Sequence, residues 1–166
     1  MAAEAQTQRV ALSFSLNGKP TALEVEPHVD LLRLLRETLG LTGAKRSCDL
    51  QVCGACTVLV DGRPVSSCTL LAFEVRGRDV VTIEGLRGEG PAGEPAHPLM
   101  QAFIDHAGFQ CGYCTPGMIL AAKALLDEEP FPSEARVREY LDGNICRCTG
   151  YKKIVESVLG AAGGAG

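Results

Sequence analysis

The sequence predicts an α+β chain in two parts, a small mixed β-sheet with one packed helix followed by a bundle of four short helices. Three observations carry that expectation. Residues 10–83 alternate short β-rich runs with Asn-Gly and Asp-Gly turn signals. Residues 97–159 switch to apolar residues at helical spacing. Between them lies Arg87–Pro95 (RGEGPAGEP), whose glycines, prolines and glutamates read as a linker. The expected limits are residues 1–86 for the sheet unit, 87–96 for the linker and 97–166 for the helical unit.

In the first unit, Val10–Leu16 reads as a strand, Asn17-Gly18 as a tight turn and Thr21–Val25 as the returning strand. Asp30 can cap a helix over Leu31–Leu39, whose Leu31, Leu34, Leu35 and Leu39 form an apolar stripe, and Gly40 stops it. Thr57–Val60 and Arg63–Ser66 flank Asp61-Gly62 as a second hairpin, and Val80–Ile83 is the last strand. A small mixed sheet with one helix is the β-grasp arrangement; the periodicity alone also allows other α+β folds. In the second unit, His97–Ala107 places Met100, Phe103, Ile104 and Ala107 on one side. Thr115 as N-cap with Pro116 behind it opens a helix to about Asp127. Ser133 caps a third helix that ends at Gly143, and Thr149-Gly150 opens a fourth carrying Ile154, Val155, Val158 and Leu159. Such short connections suggest a bundle. Gly160–Gly166 reads as a frayed tail.

The chain has 166 residues, 46% of them hydrophobic, no Trp and a net charge of -4 with scattered basic residues, a balance that gives no sign of nucleic-acid binding. Met1–Gln8 has neither a basic start nor an apolar stretch, and the longest apolar runs are broken by Arg33 and Lys123, so neither a secretory signal nor a transmembrane segment is expected. The expected compartment is the cytoplasm. There, eight cysteines argue for metal or redox chemistry rather than disulfides. A unit of about 80 residues buries only about 60–65% of the surface its unfolded chain exposes, so a metal cluster would serve as a staple.

The cysteines fall into two sets of four. Cys48, Cys53, Cys56 and Cys68 are spaced C-x4-C-x2-C-x11-C. C-x4-C-x2-C is the spacing that holds a [2Fe–2S] cluster in plant-type ferredoxins. The second hairpin supplies a geometric check. With Val60 paired to Arg63 the register runs on until Cys56 faces Ser67, which returns Cys68 to the Cys53–Cys56 loop. Gly54 gives that loop freedom to wrap closely and aim N–H groups at sulfur. A zinc site is the alternative, because C-x2-C is also half of a zinc knuckle.

Cys111, Cys114, Cys146 and Cys148 are spaced C-x2-C-x31-C-x-C. Thr115 and Thr149 each follow a cysteine, so two helix N-termini are expected to face one anionic cluster, where their dipoles and free N–H groups favour the more reduced state. The spacing of this set is less specific than that of the first, and zinc stays open.

The strings CGACTVLVDGRPVSSC (Cys53–Cys68), QCGYCTPGM (Gln110–Met118) and NICRCTGY (Asn144–Tyr151) resemble the small iron–sulfur subunit of the molybdenum hydroxylases, the family of xanthine dehydrogenase, aldehyde oxidoreductase and carbon monoxide dehydrogenase. The resemblance covers about residues 10–160. It implies a β-grasp plant-type ferredoxin domain followed by a four-helix [2Fe–2S]-binding domain, and an electron-transfer role with no bond chemistry on this chain. It also implies two partners, a large subunit holding the molybdopterin cofactor and a medium subunit holding FAD. Gln110 and Cys148 match the residues that lie beside the pterin, which makes them a molybdopterin-facing edge. One departure is visible. Family members commonly carry glycine before the first cysteine and again within the first loop, where this chain has Ser47-Cys48-Asp49-Leu50-Gln51-Val52-Cys53.

His28, His97 and His106 stand at no ligand spacing and are expected at the surface or at helix ends. Lys45 and Arg46 read as a solvated charge pair, and Arg147 as either a docking group or a solvated one. The functional alternatives to a hydroxylase subunit are a free-standing ferredoxin-like carrier and a zinc-stabilised interaction module. Purines, N-heterocycles, aldehydes, aromatic thioesters and carbon monoxide all stay open as substrates of the assembly, because the residues that choose among them are expected on another chain.

Overall fold

The structure, a computed structural model, describes residues 8–87 and 97–162. Most of the expected linker and the end of the glycine-rich tail therefore lie outside the described residues. The first half is a five-stranded mixed sheet in the order β2-β1-β5-β3-β4, formed by β1 (Val10–Leu16), β2 (Lys19–Val25), β3 (Thr57–Val60), β4 (Arg63–Ser66) and β5 (Asp79–Val81). Only β1 and β5 pair in parallel; the other neighbours are antiparallel. Both hairpins turn on two residues with positive φ, Asn17 (52°) with Gly18 (77°) and Asp61 (50°) with Gly62 (77°), as the right-handed strand twist requires. The first register begins at Leu16 opposite Lys19, so β2 starts two residues before the expected Thr21. Pro20 and Pro64 lie on β2 and β4, the two edge strands, where a missing N–H costs no ladder bond.

Asp30 caps the helix as expected, its Oδ1 accepting from the Arg33 amide at 2.7 Å. Helix α1 (Leu31–Arg33) then widens into a π-helical turn, Leu34–Thr38, with Leu39 as its last cap and Gly40 following at φ 70°. Leu31, Leu32, Leu34 and Leu35 are fully buried against Leu12, Phe14, Val58, Val60 and Val80 of the sheet. The stripe thus includes Leu32 and only grazes Leu39. The last strand ends at Val81, not Ile83, because Ile83–Leu86 turns into a 3-10 helix.

Helices α2 (Pro98–Asp105), α3 (Thr115–Glu128), α4 (Glu134–Leu141) and α5 (Lys152–Ala161) form the second half. Helix α3 is central. Gly117 to Ala122 are buried without interruption, so no polar stripe marks it in the sequence. Two expectations about faces and ends change here. In α2, which Pro98 starts, the buried residues are Leu99, Ala102 and Phe103, whereas Ile104 is 58% exposed. Gly160 and Ala161, expected in a frayed tail, belong to α5, where Ala161 is buried.

The two halves share a core. All four residues of β3 are buried: Val58 and Val60 point at the α1 side, and Leu59 enters the cluster built by Leu99, Phe103, Met118, Leu125, Val155 and Val158. Leu86, after the last strand, joins the same cluster. That is why TVLV reads as an unbroken apolar run and not as an alternating one. Leu59→Ala should therefore cost about 2–5 kcal/mol. It should lower the denaturation midpoints followed through the sheet and through the helices together; a shift confined to one half would show that the shared core does not couple them.

Candidate metal centres

The first cysteine loop runs from α1 to β3 over Lys45–Cys56. Its base is closed by the Lys45 amide bonding the Ala55 carbonyl at 2.9 Å. Inside it, Asp49 (φ 54°), Gln51 (58°) and Gly54 (68°) are left-handed. Asp tolerates that region through local hydrogen bonding, while Gln does so only when held. Both are held. Arg46 bonds Asp49 at 2.6 Å and both oxygens of Asp30 at 2.9 Å, and the Thr69 hydroxyl donates to Gln51 Oε1 at 3.2 Å. Arg46 is therefore a structural brace and not the solvated group expected from sequence.

Alternating left-handed residues make a concave run of amides. The Leu50 amide donates to the Cys48 sulfur at 3.4 Å, and those of Val52 and Cys53 point at it too. Together they draw the Cys48 thiol down to about 6. Burial pushes Cys68 up to about 11, opposed by the Gln51 amide and reinforced by the nearby Cys56 and Cys48 sulfurs. Cys68 reaches that position as expected: Thr57 pairs with Ser66, and the Ser67 hydroxyl and amide both bond the Cys56 carbonyl, at 2.6 and 3.4 Å.

In the second set, Cys114 occupies the N-cap position of α3, with Thr115 as the first helical residue. Thr115 is thus not the cap. Its hydroxyl is buried beside Cys114 with no hydrogen-bond partner among the described residues. Thr149 does not cap α5 either, because Gly150 (φ 63°) and Tyr151 (68°) are left-handed and delay the helix to Lys152. Of the two expected helix starts, only that of α3 follows its cysteine directly. Thr149 instead contacts the Cys146 sulfur at 3.2 Å and accepts from the Tyr151 amide at 3.3 Å. The Tyr151 hydroxyl accepts from the Cys146 amide at 2.9 Å and donates to the Asn144 carbonyl at 3.2 Å.

Cys111 and Cys148 are exposed with their sulfurs 3.6 Å apart, while Cys114 and Cys146 sit deeper. Burial pushes Cys114 up to about 12, and the neighbouring Cys146 and Cys111 sulfurs add to it. Burial also acts to raise Cys146, but the Thr149 hydroxyl and the amides of Cys148 and Thr149 outweigh it and leave that thiol lowered. Cys148 is raised chiefly by its contact with Cys111. Gln110 is exposed next to Cys111.

Each set is internally connected, and all eight thiols are free of disulfides. Sulfurs so close penalise one another's ionisation, and bound iron would relieve that penalty while releasing protons. The orphan Thr115 hydroxyl points the same way: unpaired, a buried polar group costs about 1–3 kcal/mol, and a sulfur-rich cluster could accept a hydrogen bond from it. Among the described residues no three side chains stand preformed around a single metal ion; each cysteine set is instead a group of neighbouring free thiols, the chemistry that suits a sulfur-rich, anionic cluster. The two loops also touch. The Ile145 amide donates to the Cys53 carbonyl at 2.9 Å, and the Tyr113 hydroxyl to the Arg46 carbonyl at 2.5 Å. The sequence pattern gave Asn144 and Tyr151 no individual role and cast Thr115 only as a cap. Asn144 stands in the NICRC string, but its partners lie up to 90 residues away. The histidines take plain roles: His28 is exposed beside Glu26, and His97 and His106 sit at the two ends of α2, His97 accepting from the Leu99 amide.

Residues 14–80 match the family described as a 2Fe-2S iron-sulfur cluster binding domain, and residues 82–159 match the [2Fe-2S] binding domain. The small FeS subunit of nicotinate dehydrogenase from Eubacterium barkeri is 44% identical over 90% of this chain and 93% of its own length. Among solved structures, quinoline 2-oxidoreductase from Pseudomonas putida 86 superposes with a TM-score of 0.87 at 43% identity, covering 93% of this chain and 94% of that one. The aldehyde oxidoreductase of Desulfovibrio gigas follows with a TM-score of 0.86 at 41% identity; the match covers 92% of this chain and 17% of that much longer one. With both domain types in this order and relatives similar over nearly its whole length, the chain belongs to the small iron–sulfur subunits of the molybdenum hydroxylase family and carries two [2Fe–2S] clusters.

Proposed function

We propose that the chain passes electrons from the molybdopterin centre of a large subunit, through two [2Fe–2S] clusters, to FAD on a medium subunit. Cys48, Cys53, Cys56 and Cys68 hold the first cluster and Cys111, Cys114, Cys146 and Cys148 the second, in units spanning residues 1–86 and 97–166 joined by 87–96. When bound, each cluster supplies a reversible one-electron couple. The protein's contribution is placement and tuning. The single observation that carries the reading is the direct contact of the two cysteine loops, Ile145 amide on Cys53 carbonyl, which supports two one-electron sites arranged in series.

The outward edge formed by Cys111, Cys148 and Gln110 supports a molybdenum-facing side, because a carrier that accepts from another chain needs its entry site open. The amides around Cys48 support a tuned exit site, since N–H groups aimed at sulfur favour the reduced state. In this reading the large subunit chooses the substrate, and the assembly works in the cytoplasm. Among the described residues, no helix is long and apolar enough to cross a membrane.

Iron and acid-labile sulfide should each be found at about four per chain; zinc at one or two equivalents without sulfide would end the reading. Cys53→Ser should alter one electron paramagnetic resonance signal and Cys111→Ser the other, and a substitution that changed both equally would refute the two-set assignment. Gln110→Ala removes an exposed amide while sparing all eight thiols. Both clusters should survive it, and their reduction by substrate in the assembled enzyme should slow while an artificial donor still reduces the flavin. Unchanged turnover and unchanged subunit association would place the molybdenum-facing edge elsewhere.

A further inference from the structure

We infer that Asn144 is the positioning residue for electron exchange between the two clusters: its amide clasps the Cys53–Gly54 loop against the Cys146 loop and fixes the gap an electron crosses. The inference rests on the function proposed above. Asn144 is polar yet only 6% exposed. Its Nδ2 donates to the Gly54 carbonyl at 3.0 Å and reaches Thr57 Oγ1 at 3.3 Å, while that hydroxyl donates to the same carbonyl at 2.8 Å. On the other side its own carbonyl accepts from Tyr151, whose oxygen also accepts from the Cys146 amide. The residue after it, Ile145, donates to the Cys53 carbonyl. One residue is thereby tied to both proposed ligand segments, by its side-chain amide to the Cys53–Gly54 loop and by its backbone carbonyl to the Cys146 loop.

The approach leaves no slack. A Cβ on Gly117 would fall 2.3 Å from the Gly54 carbonyl, and one on Gly54 would fall 2.5 Å from Asn144 Nδ2 and from the Gly143 carbonyl. The apolar packing around Leu59 already joins the two halves of the molecule, so the clasp is not needed to hold them together. What it controls is local, the spacing of Cys53 and Cys146. The exchange itself is one electron passing from a reduced cluster at the second set to an oxidised cluster at the first. No bond is formed or broken. Electron transfer between two fixed sites slows as the gap between them widens, so a clasp that sets the gap sets the rate.

The test uses the full chain with both clusters present. Asn144→Asp keeps the size of the side chain but turns a carboxylate toward two oxygens, and Gly117→Ala pushes on the same loop from α3 without removing a donor. Electron paramagnetic resonance of the dithionite-reduced chain reads the magnetic splitting between the two clusters. Freeze-quenching after sub-stoichiometric dithionite reads how fast one electron redistributes. Both variants should keep two clusters, show a smaller splitting, and redistribute the electron more slowly than the wild-type chain. Wild-type splitting and rate in either variant with both clusters intact would overturn the proposal. Loss of a cluster in Asn144→Asp would overturn it as well, by making Asn144 an assembly residue. A wild-type chain lacking two distinct iron–sulfur signals is a separate failure, that of the function proposed above.

Discussion

The close approach of the first cysteine loop to the start of α3 is the constraint from which the rest of the arrangement follows. Gly117 presents its bare backbone to the Gly54 carbonyl, and Gly54, at φ 68°, has no room for a side chain toward Asn144 and Gly143. With the loop pressed there, β3 leaves it directly beneath α3. Its Leu59 must enter the helical core while Val58 and Val60 face the other way. The sheet and the helical bundle are thus built into one body around a shared core.

Within each thiol set the dominant cost is negative charge. Sulfur anions held close together repel one another, and a partly buried site weakens the solvent's ability to compensate. The chain answers with donors in place of formal charges. Three amides converge on Cys48, and the Thr149 hydroxyl and two amides converge on Cys146. In both sets one thiol is drawn down by donors while another, Cys68 or Cys114, is pushed up by burial and by the neighbouring sulfurs. The raised thiols gain most from bound iron, since they are the ones least able to ionise alone.

The first loop holds a curved backbone without relying on glycine at every bend. Asp49 and Gln51 take left-handed conformations, at a cost of about 1–2 kcal/mol each for residues with a Cβ. Arg46 and Thr69 offset that cost by gripping their side chains. Leu50 and Val52, the alternate residues, are left 73% and 58% exposed. The curvature that aims N–H groups at Cys48 thus rests on a salt-bridged brace.

Local chemistry made much of this legible in advance. Asn17-Gly18 and Asp61-Gly62 could only be hairpin turns; Asp30 and Ser133 could be identified as caps because their side chains serve amides three residues on; and the second hairpin's register alone brought Cys68 back to Cys56. The cysteine spacings and the two strings around the second set sufficed to place the chain in its family. What short-range patterns do not encode was decided by tertiary contact. The rotation of α2 that buries Ala102 and exposes Ile104, the extension of α5 through Gly160, and the release of Thr115 and Thr149 from capping all depend on neighbours distant in sequence. Asn144 is the clearest case. Its residue type says only that an amide is present, whereas its place between the two ligand loops depends on a Gly54 carbonyl 90 residues away. The sequence by itself nominated the eight thiols as candidate iron ligands and returned Cys68 to the first loop, because those are matters of spacing and local turn geometry. The fold decided how the two loops face one another, because that distance is set by the packing of Gly54, Gly117 and Leu59 across the whole chain.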